Sequence, residues 1–149
     1  MLFSFFKPVV LAVLLIALAG CGVAPVLPSA GQVSGAQLQG REWVASYIDG
    51  IAAVTAPAPR LRWTAADQLS GSGGCNAFMG RAVVEQGALQ LGPLAATGKA
   101  CMTAPQGQED RFFKALEATR SVRLQDGHLL LEDATGRVLA RLTPGTTAP

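Results

Sequence analysis

The chain has one histidine and three cysteines in 149 residues. It has no surplus of one charge, and its apolar run is too short to cross a bilayer. Each shortage removes a class of function. His128, beside a hairpin turn, has no serine or cysteine signature to pair with as nucleophile and base, and reads as a solvated strand-end side chain. Glu109 and Asp110 are adjacent and diverge on a helix, and Glu132 and Asp133 run into a turn, so no convergent acid and base is legible. No Gly-Lys-Ser/Thr sequence exists to cradle phosphate. Twelve basic residues stand against ten acidic ones, and arginines such as Arg60, Arg81, Arg123 and Arg141 are scattered among acids, which argues against a nucleic-acid partner. The expectation is a non-enzymatic protein without cofactor or metal.

What is present begins at the N-terminus. Lys7, the apolar stretch from Val9 to Ala19 and the sequence Leu18-Ala19-Gly20-Cys21 describe a secretory signal with its cleavage site. A bilayer core needs roughly 20 apolar residues, and Pro8, Gly20, Gly22 and Pro25 bound this shorter run. We read residues 1–20 as a lipoprotein signal peptide and Cys21 as the lipidation site; the alternative is an ordinary signal in which Cys21 is incidental. The remaining chain is enough for one domain. Its attachment to the membrane is expected through lipid alone, each buried methylene contributing about 0.8 kcal/mol. Gly22, where an aspartate is associated with inner-membrane retention, points by analogy to the outer membrane, facing the periplasm.

Cys75 and Cys101 are then the two cysteines left. In an oxidising compartment they read as one disulfide, which would stabilise the fold by roughly 3 to 4 kcal/mol in the chain-entropy model. Rival readings are a nucleophilic thiol or a metal site, for which only His128 is available as a further nitrogen or sulfur ligand besides the lipidated cysteine.

Residues 21–37 are rich in Ala, Val, Pro, Ser and Gly without charge or period, the composition of a lipidated flexible tether. After Leu142, the proline-rich ending is too small to join a sheet interior, so 144–149 is expected as a tail and 38–143 as the domain. Within it, short alternating segments are broken by turn residues. Trp43, Ala45 and Tyr47 are expected on one buried face before a turn at Asp49-Gly50, and Leu61, Trp63 and Ala65 on the next. Segments 68–73 and 78–85 follow, with a hairpin at Gln86-Gly87 leading into 89–91, and a further hairpin of type I′ at Asp126-Gly127 joins 122–125 to 128–132. A last strand spans 137–142. From Thr103 to Thr119 the period becomes helical, with Thr103 and Gln106 as a capping box, Pro105 in the first turn, and Asp110 reaching Lys114. Phe112, Phe113 and Leu116 are expected to plug the open side of a curved sheet. The fold class is mainly β: a small antiparallel barrel or meander with one packed helix.

Gly71-Ser72-Gly73-Gly74-Cys75-Asn76 with Gly80, then Thr97-Gly98-Lys99-Ala100-Cys101, then Glu109 with Phe112 and Leu116, then Leu129-x-Leu131 and Gly136, resemble the META domain, in particular the HslJ-type heat-inducible lipoproteins of bacteria. The resemblance implies a barrel of lipocalin-like topology with one helix, in the bacterial envelope. Ala77 and Ala82 stand where family members often carry a basic and an aromatic residue. Read from the residues themselves, Gly71, Gly73 and Gly74 permit positive φ and close approach of a neighbouring strand, as at a bulge or barrel corner, and Asn76 is placed to hydrogen-bond local backbone.

Three functions fit. The first is a binding or protective module linked to envelope stress tolerance. The second is a carrier of a small apolar ligand, opposed by the bulky side chains expected to fill the barrel. The third is an inhibitor or assembly partner of another envelope protein, using an exposed loop over 55–60 where Pro57 and Pro59 restrict the backbone.

Overall fold

A computed structural model describes residues 33–53, 56–100 and 107–146. Among the described residues, alternation of large apolar with polar residues lays down nine strands: β1 (Glu42–Ile48), β2 (Ile51–Ala52), β3 (Arg60–Ala65), β4 (Gln68–Ser72), β5 (Ala77–Glu85), β6 (Ala88–Ala96), β7 (Ser121–Gln125), β8 (His128–Glu132) and β9 (Val138–Pro144). Two helices accompany them among the described residues, α1 (Gly35–Leu38) and α2 (Gln108–Ala118). At Asp49-Gly50, Gln86-Gly87 and Asp126-Gly127 both turn residues have positive φ, between 50° and 83°, the backbone of the type I′ hairpin whose twist matches that of its strands.

All strand neighbours are antiparallel, and β9 returns to pair with β1 from Trp43↔Pro144 to Ile48↔Ala140, closing the sheet into a ring. Its thinnest seam is β6 to β7, which share the single pair Ala88↔Ser121. The connection across that seam carries α2, whose Phe112, Ala115 and Leu116 are buried. The Phe112 and Phe113 rings lie 6.2 and 5.5 Å from the ring of Phe78. This is the cover expected from the helical spacing, and Asp110 and Lys114 pair at 3.2 Å on its outer face. The interior is filled by Trp43, Trp63, Phe112 and a surrounding layer of leucines, each almost fully buried.

Several expectations are corrected. Tyr47 is 46% exposed, and Ile48 takes the inward place. The cause is a register shift between Ala45 and Tyr47 where β1 meets β9, which inserts a residue and turns the following side chains over. The tether does not extend to residue 37: Val33 and Leu38 belong to the core, Val33 O accepts from Gly87 N at 2.8 Å, and Gln37 Oε1 accepts from Ser34 N at 2.8 Å. This four-residue helix is too short to show a period. The last strand runs on through Thr143 and Pro144, because Pro144 pairs at the end of β9, where a missing donor costs the ladder little. Helix α2 starts at Gln108 behind Gly107, whose φ of 75° is incompatible with a helix running through it. Thr103, Pro105 and Gln106 lie outside the described residues. Strand β6 extends five residues past Leu91 to Ala96. In the expected exposed loop, Ala58 and Pro59 are buried, and Pro59 O accepts from Ala45 N at 2.8 Å.

Replacing Leu38 by Ala should remove about 2 to 4 kcal/mol of stability in denaturant unfolding, as a buried leucine does. An unchanged midpoint would show that α1 is not part of the cooperative core.

Candidate functional site

The glycine-rich turn between β4 and β5 is shaped by what crowds it. Gly71 pairs with Phe78 across β4 and β5, and a Cβ at Gly71 would fall on the Arg60 carbonyl oxygen and the Phe78 ring. A Cβ on Gly73 would come within 2.5 Å of Glu109 Cγ. Only Gly74, with φ at 113°, uses the left-handed freedom expected of all three glycines; the other two are needed for their size. Gly73 N donates to Asn76 O at 2.9 Å, closing the turn.

Into this turn projects Glu109, from the first turn of α2. Its Oε2 accepts from Cys75 N at 2.9 Å and Asn76 N at 2.6 Å, and its Oε1 accepts from Asn76 Nδ2 at 2.6 Å. The Asn76 amide completes the junction. Its Oδ1 accepts from Thr97 Oγ1 at 2.8 Å and Lys99 N at 2.7 Å, while Nδ2 also donates to Lys99 O at 3.2 Å. Asn76 therefore binds Lys99 through both of its backbone groups, as a strand neighbour would. Local backbone bonding was expected of this residue; its side chain instead reaches Thr97, Lys99 and Glu109, which lie 21, 23 and 33 positions away.

Burial pushes the Glu109 pKa up, but hydrogen bonds from the Asn76 backbone, the Asn76 side chain and the Cys75 backbone outweigh it, leaving the carboxyl below its ordinary value of 4.5. Both oxygens and the whole Asn76 amide are occupied. Chemically this is a clamp: it joins the turn, the strand end at Thr97 and the helix, and it offers no free base or nucleophile.

Other sequence-selected residues are more dispersed. Gly80 flanks the register shift between β5 and β6, where a Cβ would come within 2.7 Å of Leu94 Cδ2. Ala82 is fully buried, and its carbonyl accepts from Trp63 Nε1 at 3.2 Å. His128 opens β8 with its ring nitrogens 3.1 and 3.2 Å from an Arg141 nitrogen, and Glu132 pairs with Arg123 at 2.6 Å. Cys21 and Cys101 lie outside the described residues. Sequence reasoning selected Glu109 only as part of a motif and missed its grip; an acidic residue in a helix's first turn, able to take backbone donors, was the available signal. It also missed a cluster of Asp49, Arg111 and Arg137, gathered from distant parts of the chain around one cavity.

Asn76→Ala should cost roughly 2 to 4 kcal/mol, because it strands the Glu109 carboxylate and the Lys99 backbone. Glu109 has a lower pKa folded than unfolded, so its contribution is complete above the unfolded carboxylate value and is lost as pH falls through the folded one. Thermal midpoints of the wild type should thus decline below about pH 4.5 more steeply than those of Glu109→Gln. Parallel curves would refute the clamp's electrostatic role.

No curated protein matches the chain. Two solved structures share its fold. One is an NMR structure 24% identical, covering 73% of this chain and 93% of the other, with a TM-score of 0.60. The second, an NMR structure of a protein from Burkholderia xenovorans, is 26% identical and covers 83% of this chain and 99% of the other, with a TM-score of 0.59. The family model described as the META domain matches residues 36–145, the span that contains the ring, the glycine turn and the clamp. The chain belongs to the META domain family.

Proposed function

We propose that this protein is a non-enzymatic, lipid-anchored module of the bacterial envelope. Its rigid surface binds or protects other envelope components, in the manner of an HslJ-like stress-tolerance lipoprotein. Lipid on Cys21 holds it in the outer membrane, facing the periplasm, and a disulfide between Cys75 and Cys101 staples the domain. The observation that carries this reading is the saturated clamp. Asn76 fixes Lys99, two positions before Cys101, beside the turn that carries Cys75, so the neighbouring backbone is already held for a crosslink. A group of residues committed to holding three segments together fits a module built for rigidity.

The filled interior supports action through the outer surface. Trp43, Trp63 and Phe112 occupy the place where a lipocalin-like carrier would hold its ligand. A partner that meets this surface is accordingly another envelope component.

Two measurements test the proposal. Membrane fractionation should find the protein in the outer membrane, and Cys21→Ser should release it from that fraction; wild-type protein recovered soluble in the cytosol would overturn the reading. Mass spectrometry of the exported protein without reductant should show no alkylatable thiol at Cys75 or Cys101. Two free thiols would remove the staple.

A further inference from the structure

A cavity of about 200 Å³ opens where α2 faces the start of β9 and the turn after β1. Ala115, Ala118 and Leu139 give it apolar walls, and Arg111, Lys114, Arg137 and Asp49 supply its charge. Successive helix positions turn by about 100°, so Arg111 projects away from the side on which Glu109 grips the glycine turn. The cavity is therefore separate from the clamp.

Two of the three cations are compensated. Lys114 Nζ lies 3.2 Å from Asp110, and Arg137 bridges Asp49 at 3.1 Å and Asp133 at 3.2 Å. Arg111 has no acidic partner within 4.0 Å among the described residues, and its Nε is buried without an acceptor. Arginine cannot shed its proton to relieve this, and a buried N–H lacking an acceptor is costly. The cavity thus holds one uncompensated, planar, five-donor cation beside a short apolar wall.

We propose that this cavity binds a small organic monocarboxylate, its carboxylate on the Arg111 guanidinium and a short hydrocarbon tail against Ala115, Ala118 and Leu139. Arg111, Lys114 and Arg137 are matched in number by Asp49, Asp110 and Asp133, so the surroundings carry no net positive charge; a monoanion can seat on the unpaired Arg111, whereas the second charge of a dianion would face those carboxylates. The planar fork of arginine matches a carboxylate with two parallel hydrogen bonds. Volume sets the tail, since pockets for drug-sized ligands begin at about 300 Å³ and this one falls below that. A chain of a few carbons fits where a membrane acyl chain does not.

The test is titration of the full chain, in non-ionic detergent, with hexanoate, hexanol and inorganic phosphate, followed by the NMR signal of the Arg111 Nε–H. Hexanoate should give a saturable shift with Kd on the order of 1 mM, and hexanol and phosphate should give none. Arg111→Gln should weaken hexanoate on the order of tenfold, read from the remaining amide shifts. Ala118→Leu, which fills the cavity and leaves every charge in place, should weaken hexanoate and spare acetate. Arg123→Gln, on β7, should bind as the wild type does. A lack of saturation, equal response to phosphate, or undiminished binding by Arg111→Gln in a variant with an unchanged thermal midpoint would each overturn the assignment.

Discussion

The contact between Glu109 and Asn76 is the constraint on which the rest of the domain's geometry depends. It ties the first turn of α2 to the glycine turn after β4 and to the end of β6, three segments with no common strand pairing at that point. Without it, the helix would be held against the ring chiefly by burial of Phe112, Phe113, Ala115 and Leu116, with the Gln108 amide donating to Pro57 O at 3.4 Å, and apolar burial is not directional. Short charge-assisted bonds add the direction. They also explain the glycines: Gly73 must be bare because the Glu109 side chain occupies the space a Cβ would take.

Around that contact the fold solves the edge problem of a small sheet. Pairing β9 with β1 removes the outer edges of the ring, α2 packs against β1, β8 and β9, and the segment of α1 brings Val33 and Leu38 into the core. Polar groups at the rim are handled locally. Asp133 is held at a pKa of about 2, first by the Thr135 hydroxyl and then by backbone donors of its own turn, while Arg137 links that turn to Asp49 beyond β1. The same linkage forms one wall of the cavity beside Arg111.

Much of this was legible from residues, for physical reasons. Two-residue periodicity and Asp-Gly turns are local, so β1, β3, β5, β7 and β8 and two of the hairpins follow from windows of a few residues. Tyr47 was not legible, because its direction is set by a bulge that exists only where β1 meets β9, about 95 residues later. Helix α1 left one faint trace, Ser34 and Gln37 three apart before Leu38, in a stretch whose small uncharged residues read as linker. At the clamp, composition announced the glycines and Asn76. The acceptor for their backbone donors came from another element, and nothing near Asn76 in sequence names Glu109. The arginine cavity was hidden for the same reason: Asp49, Arg111 and Arg137 meet only after the ring has closed.

That closure imposes an order on the protein's birth. The first long strand finds its final neighbour only once the last has been made, since Trp43 and Ile48 of β1 pair with Pro144 and Ala140 of β9. The neighbouring pairings from β1 through β6 are local in sequence, but the ring itself is complete only when β9 exists. The last pairing thus spans nearly the whole described domain, and the loop it closes is the longest in the fold.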